Sequence, residues 1–384
     1  MPNPKVIETL IIGAGPAGLA MAGRLSKAGI NFHSIEKSPD LGNRWRHHYD
    51  RLHLHTVKRL SHLPHFPFPA DYPVYVPRDK FVDYLESYAA EFEIRPEFGI
   101  TVHRIAKSKD GGWNIETSNG EIEARLVIIA TGVNNEAKAP EWEGRSEFTG
   151  TITHSVDYKN PNDYLNSRTL VVGMGNTGAE IALDLSEQGV KTFLSVRGEL
   201  NIVPRDLNGR SVQETALILD KFPFGFGEWL GAKITGIYFG NLSKYGIEKS
   251  KVRPVVQLNT TGKTPVIDIG TVKAIKQGRI EVVSEANRFT AKGVMLDNGE
   301  ELEVDHVIFA TGYHSCLDGL IENMVEFKDR LGYPKGAIGS GFHEGLYFVG
   351  FNNYKLGGIL GTIFSDSEEA LIDIMDKSKV AAEV

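Results

Sequence analysis

A single cysteine, Cys316, stands among 384 residues. One thiol cannot close an internal disulfide or supply a Cys-x-x-Cys redox pair, so disulfide-reductase chemistry is excluded and a reducing compartment suits the chain. Long apolar runs are also missing, none approaching the ~20 residues that cross a bilayer. The start, Met1-Pro2-Asn3-Pro4-Lys5, has no basic head, apolar middle or cleavage site of a signal peptide. These absences predict a soluble, cytoplasmic protein without a membrane anchor. Basic excess is absent too: 42 Lys and Arg face 49 Asp and Glu, a net charge of -7, which argues against a nucleic-acid partner. What the chain has in excess is glycine, 41 residues, or about 11% against a typical ~7%. With no collagen-like period to absorb them, these glycines mark backbone turns around something.

The length suits two or three domains at ~100 to 200 residues each. The most informative feature is an internal repeat. The first copy runs Thr9-Leu10-Ile11-Ile12, then Gly13-Ala14-Gly15-Pro16-Ala17-Gly18 and a helical stretch to Lys27. It closes with a hairpin-like segment from Trp113 to Ile122 and the strand Leu126-Val127-Ile128-Ile129, ending in Ala130-Thr131-Gly132. The second runs Thr169-Leu170-Val171-Val172, then Gly173-Met174-Gly175-Asn176-Thr177-Gly178 and a helix to Gln188, closing with His306-Val307-Ile308-Phe309 before Ala310-Thr311-Gly312. A buried β-branched strand feeding a glycine turn and a helix opens a doubly wound parallel sheet. The fold predicted is therefore α/β, with two Rossmann-like dinucleotide-binding domains. Residues 1–158 and 313–384 form the first, and residues 159–312 form the second, inserted in it. Residues 207–245, aromatic-rich, are either core helices of the second domain or a substrate-covering insertion.

Each glycine turn follows a strand, precedes a helix and has a discriminating residue about 20 positions on, which makes Gly-x-Gly-x-x-Gly informative. Gly13 and Gly173 permit the tight turn, Gly15 and Gly175 let backbone approach a pyrophosphate, and Gly18 and Gly178 let helix and strand pack. Asn176, Gly132 and Gly312 join the expected cofactor sites. Glu36 follows Gly13 by 23 positions, and Arg197 follows Gly173 by 24. A carboxylate accepts from a ribose hydroxyl and repels a 2′-phosphate, whereas a guanidinium attracts that phosphate. The first site therefore suits FAD or NAD and the second NADPH, with Arg205 the second choice for the phosphate.

Between the two copies lies Phe148-Thr149-Gly150-Thr151-Ile152-Thr153-His154-Ser155-Val156-Asp157-Tyr158. The spacing Phe148, Gly150, His154, Tyr158 resembles the identifying motif of flavin-containing monooxygenases. Tyr158-Lys159 stands where the related Baeyer-Villiger enzymes carry Trp-Pro, which argues against that branch. Tyr49-Asp50-Arg51-Leu52-His53-Leu54-His55, the stretch Thr261 to Thr271 and Phe309-Ala310-Thr311-Gly312-Tyr313 are similar to the plant YUCCA branch, and the likeness covers nearly the whole chain. The resemblance implies a flavoprotein in which NADPH reduces FAD, oxygen adds at flavin C4a, and the hydroperoxide acts on a small-molecule substrate. The branch's usual reaction is oxidative decarboxylation of indole-3-pyruvate. The alternatives are N- or S-oxygenation of amines and sulfides, or a non-oxygenating NADPH oxidase or sensor. Oligomeric state is left open, a homo-oligomer included.

The resemblance also places His55, the candidate catalytic residue, where mammalian-type enzymes carry an asparagine over the flavin. His55 either hydrogen-bonds the peroxide or is a structural histidine. Trp45, in Gly42-Asn43-Arg44-Trp45, is either the family's aromatic beside the flavin or a core side chain. Six of the twelve histidines fall between His47 and His65, but no cysteine and few carboxylates accompany them, so no metal is expected. Arg51, Lys58 and Arg59 are candidate cations for a substrate carboxylate, and the aromatics from Phe222 to Trp229 a candidate pocket wall.

Overall fold

The computed structural model describes residues 6–109, 111–207, 209–219, 226–351 and 358–383. They form two compact units, one drawn from Met1–Arg46, Thr56–Glu136 and Tyr313–Val384, the other from His47–His55 and Ala137–Gly312. In the first, the apolar run forms strand β1 (Ile7–Ile12), the glycine turn follows, and helix α1 (Pro16–Lys27) leads to β2 (His33–Glu36). The sheet continues with β3 (Glu97–Phe98), β4 (Val102–Lys107), β5 (Trp113–Thr117) and β6 (Gly120–Ile129) in the order β3-β2-β1-β6-β5-β4. β1 lies parallel between β2 and β6, and Leu10, Ile11, Val127, Ile128 and Ile129 are fully buried, as strands covered on both faces require.

The long strand β6 is shared lengthwise. Its first half pairs antiparallel with β5, and the strand Leu346–Phe348 lies parallel along Val127–Ile129. The C-terminal segment thus returns to the first sheet. Its helix Gly358–Glu383 is held to α1 by a buried arginine. Arg24 donates to Ser367 Oγ at 3.0 Å and to the Phe364 carbonyl at 3.1 Å.

The second unit repeats the plan. Strands β7 (Thr151–His154), β8 (Arg168–Val172), β9 (Lys191–Ser195), β10 (Ile280–Val283) and β11 (His306–Phe309) make a wholly parallel sheet in the order β10-β9-β8-β11-β7. Helix α2 (Asn176–Glu187) carries the crossover from β8 to β9. The sequence reading placed residues 137–158 in the first domain, whereas they belong to the second unit. The cause is β7, whose Thr151 to His154 pair with His306 to Phe309, while Phe148 packs into the second core with Leu170, Phe289 and Phe309. His47–His55 also joins this unit.

The described part of residues 207–245 contains the helices Val212–Leu219 and Phe226–Phe239 and a short helical turn, Ser243–Tyr245. Phe239 reaches the core, but Ile218, Trp229, Ile237 and Tyr238 are exposed, so this stretch does not serve simply as core. Among the described residues no helix is long and apolar enough to cross a membrane.

The turn glycines are set by backbone proximity. A β-carbon on Gly18 would lie 1.8 Å from the Gly13 carbonyl oxygen, whereas one on Gly15 would meet nothing within 4 Å. Gly18→Ala should therefore lower stability by at least the ~1–3 kcal/mol of an overpacked core, and Gly15→Ala should leave the thermal midpoint within a degree or two. Equal midpoints for the two variants would refute this division of roles.

Candidate functional site

The two glycine turns superpose as hydrogen-bond patterns. Gly13 N–H donates to the Ile35 carbonyl at 2.8 Å, and Gly173 N–H to the Ser195 carbonyl at 3.0 Å. Gly13 and Gly173 sit at φ +110° and +100°, a region that disfavours side chains. Gly178 repeats the contact of Gly18, its β-carbon position falling 1.9 Å from the Gly173 oxygen, and Gly175 matches Gly15 in facing open space. Gly15 and Gly175 are the N-caps of α1 and α2, and neither helix has a side-chain cap. Open space before an uncapped helix N-terminus fits a pyrophosphate.

Charge distinguishes the turns. Glu36, at the end of β2, accepts from Ala14 N–H at 2.7 Å and from Ser38 N–H at 2.8 Å, so its carboxylate lies against the first turn. Arg197, beyond β9, is 77% exposed and 3.6 Å from Glu285, while Arg205 pairs with Asp206 at 3.0 Å. Asn176 braces the second turn: its Oδ1 accepts from Ile267 N–H at 2.7 Å. Gly42 N–H donates to the Ala14 carbonyl at 3.1 Å and starts the short helix Asn43–Arg46. Trp45 lies in that helix, its N–H donating to the Gly42 carbonyl at 2.8 Å and its ring edge-on to Phe81 with centroids 4.4 Å apart. Gly132 and Gly312, at φ +77° and +89°, follow the ends of β6 and β11 by three residues, with open space at their β-carbon positions.

The second unit contains a polar seam that sequence reading missed. Glu180, Asp184 and Glu187 recur at i, i+4 and i+7 of α2 and so share one face. Glu180 is 2% exposed, and its Oε2 accepts from Tyr49 Oη at 2.7 Å and faces His55 Nε2 at 3.2 Å. Asp184 accepts from Tyr158 Oη at 2.8 Å and Arg51 at 3.2 Å, and Arg51 also reaches Glu187 at 2.7 Å. Burial pushes the Asp184 carboxyl above its usual range, against the opposing pull of Tyr158 and Arg51. Burial and the neighbouring Asp184 raise the Tyr158 phenol. Burial pulls the Arg51 guanidinium down, but Glu187 and Asp184 outweigh it and the net direction is up. The only sequence signal was the acid spacing behind a glycine turn, which reads equally well as a solvated helix face.

The motif residues Phe148, Gly150, His154 and Tyr158 gather in this unit as structure. A β-carbon on Gly150 would meet the Asp305 oxygen at 2.3 Å, and buried His154 ends β7 with Nδ1 accepting from Val156 N–H at 3.2 Å. Two proposed substrate cations are already engaged: Arg51 in the seam, and Lys58, whose ammonium donates to the Ala70 and Tyr72 carbonyls at 2.8 and 2.5 Å. Arg59 follows in the same short helical turn, Lys58–Leu60. Phe222 and Phe224 lie outside the described residues. His53 Nδ1 bonds the Arg51 carbonyl at 2.6 Å and His62 Nδ1 the Leu63 carbonyl at 2.9 Å.

Two such turns, each opening an α/β unit on a parallel strand pair and one unit inserted in the other, define an oxidoreductase of the two-dinucleotide class. The particular family follows from similarity: the model of the flavin-binding monooxygenase-like family matches residues 6–331, and the chain belongs to that family. It is an FAD- and NADPH-dependent monooxygenase. It is 38% identical over 363 residues to the probable indole-3-pyruvate monooxygenase YUCCA8 of Arabidopsis thaliana, covering 91% of this chain and 85% of that protein. It is 37% identical over 359 residues to the indole-3-pyruvate monooxygenase YUCCA1 of Oryza sativa subsp. japonica, covering 92% and 88%. An oxidized steroid monooxygenase bound to NADP shares the fold with a TM-score of 0.75 at 18% identity, over 98% of this chain and 85% of that one.

The raised Asp184 carboxyl sets a direction for stability against pH. Its folded value lies above its unfolded one, so its contribution is most favourable at acid pH and falls as pH rises through the window between them. Tyr158→Phe removes a donor that favours the ionised form. It should cost about 1–3 kcal/mol at neutral pH and less in acid, where the carboxyl holds its own proton. Thermal melts at pH 7 and near pH 4 measure the difference; a loss that grows toward acid contradicts the assignment.

Proposed function

We propose that the first unit holds FAD and the second NADPH, and that the protein converts an aryl-pyruvate such as indole-3-pyruvate to the acid one carbon shorter. The observation that carries the cofactor assignment is the pair of matching turns with opposite charges at their second strands. Gly15 and Gly132 leave open space for one dinucleotide, and Gly13 and Gly18 set the tight turn that frames it. Glu36, bonded to Ala14 and Ser38, keeps lone pairs for a ribose hydroxyl. Trp45, in the short helix that follows Gly42, would be the aromatic beside the flavin. Gly175 and Gly312 leave open space for the other, Gly173 and Gly178 set its tight turn, Asn176 ties the start of α2 to Ile267, and Arg197 offers a guanidinium to the 2′-phosphate. FAD, reduced by NADPH, supplies the oxygen-activating chemistry when bound. His55 would offer a hydrogen-bonding ring nitrogen at the reacting centre.

The substrate reading rests on the relatives named for indole-3-pyruvate and their coverage of this chain. The reaction balances as keto acid, oxygen, NADPH and one proton giving the shortened acid, carbon dioxide, NADP⁺ and water. The bond between ketone carbon and carboxylate breaks, and one oxygen atom enters the new acid. One observation favours a second reading, oxygenation of an uncharged amine or sulfide: Arg51 and Lys58, two cations near His55 in sequence, are engaged elsewhere. The single thiol accords with a cytoplasmic setting.

Indole-3-pyruvate should give indole-3-acetate and carbon dioxide, each equimolar with the NADPH consumed. Oxygenation of a tertiary amine or thioether with coupled NADPH use, and no shortened acid from aryl-pyruvates, would install the second reading. In a separate measurement, Arg197→Ala should lower the NADPH-to-NADH preference in anaerobic flavin reduction. A charge-assisted contact of ~1.5 to 3 kcal/mol corresponds to a roughly 10- to 150-fold change. An unchanged ratio would transfer the role to another basic residue.

A further inference from the structure

We infer that Glu180 is a positioning residue that holds the imidazole of His55 with its proton on Nε2, so that Nδ1 is the nitrogen left for chemistry. The inference rests on the proposed place of His55 at the reacting centre. The geometry concerns this chain's own residues and lies wholly within the second unit. Glu180 stands on the buried side of α2 among Ala179, Ile181, Ala182 and Leu183, where an apolar residue would ordinarily sit. A carboxylate taken out of water must be hydrogen-bonded to be tolerated. Among the described residues its two side-chain donors come from the segment His47–His55: Tyr49 Oη at 2.7 Å and His55 Nε2 at 3.2 Å, on the same oxygen. The His55 side chain is 19% exposed, so its ring is packed as well as bonded.

A ring nitrogen facing a carboxylate carries the hydrogen. In the neutral imidazole the other nitrogen is then an acceptor, and in the imidazolium it is a donor. A buried acid that selects a histidine's tautomer and orientation is the device by which carboxylates serve catalytic and metal-bound imidazoles. An asparagine amide offers donor and acceptor at once without such help; a histidine needs a partner to decide which nitrogen does what. The remaining charges on this face of α2 have other partners, since Asp184 binds Tyr158 and Arg51, and Glu187 binds Arg51. Tyr49 in turn lies against the rings of His48 and Tyr158, at 6.0 and 6.3 Å.

Nitrogen-15 spectra of the histidine-labelled, FAD-loaded full-length protein test this, with the His55 signals assigned by their loss in His55→Gln. Neutral His55 should be the Nε2–H tautomer. Glu180→Gln, whose amide can donate as well as accept, should shift the tautomer ratio at least tenfold toward Nδ1–H, while Tyr49→Phe, which keeps the carboxylate, should not. A wild-type spectrum showing the Nδ1–H tautomer overturns the inference without any variant, so it stays testable even if Glu180→Gln fails to fold. An unchanged ratio in folded Glu180→Gln overturns it too. The role of His55 itself is read independently, from hydrogen peroxide released per NADPH by His55→Gln: a rise supports that role, and no change removes it while the tautomer result still decides what Glu180 does.

Discussion

Each unit is organised by a backbone contact that only glycine permits. At Gly18 and Gly178 the helix comes so near the preceding turn that a β-carbon would fall 1.8 and 1.9 Å from a carbonyl oxygen. That approach aims the start of the helix along the end of the sheet, so its first amides face outward with no side chain closing them. Open space at Gly15 and Gly175 is the counterpart: the chain is crowded on the side of its own sheet and empty where a phosphate would sit. The close helix approach and the open space of both candidate sites descend from this packing, which occurs twice.

On that shared backbone, charge makes the two units different. The Glu36 carboxylate turns back and accepts amide hydrogens of the first turn and the residues after β2, which makes it part of the turn's scaffold as well as a candidate ligand group. Arg197, at the matching place, is largely exposed and lies 3.6 Å from the Glu285 carboxylate. A group fixed by the backbone is pre-organised for neutral hydroxyls, whereas an exposed guanidinium suits an incoming dianion. The same asymmetry runs along the helices. Counting from the third glycine of each turn, the position of buried Ala20 in α1 is filled by buried Glu180 in α2.

The repeat was legible because its determinants are local: a β-branched strand, glycines at fixed offsets and a helix leave their mark within about 20 residues. Glu36 and Arg197 could be picked out by counting along the same unit. What could not be read were partners brought together across long separations. Arg51 looks like a free cation until Asp184 and Glu187 stand beside it. Lys58 does too, until the Pro69 to Tyr72 loop turns its carbonyls toward the ammonium. Glu180 resembles any acid on an amphipathic helix, because burial of one face depends on the segment that lands there. The unit boundary failed for the same reason. Phe148 to Tyr158 directly precedes the second glycine copy in sequence, but only the pairing of β7 with β11 shows to which sheet it belongs.

A further correspondence links the two helices through their sixth residue past the third glycine. In α1 it is Arg24, buried, which donates to Ser367 and the Phe364 carbonyl and so fastens the C-terminal helix that completes the first unit. In α2 it is Asp184, which accepts from Tyr158 and Arg51 and so fastens the motif segment and the His47–His55 stretch that complete the second. Both units recruit a piece of chain from outside their central run, and both secure it through a charged group at the same helical position with the opposite sign. Opposite signs call for different partners: a guanidinium is satisfied by hydroxyl and carbonyl oxygens, and a carboxylate by phenol and guanidinium donors. Two copies of one fold can therefore recruit different segments without altering the backbone that the glycines impose. On the second helix the recruited segment ends at His55, within hydrogen-bond reach of Glu180, so the contact that completes the unit also places the histidine.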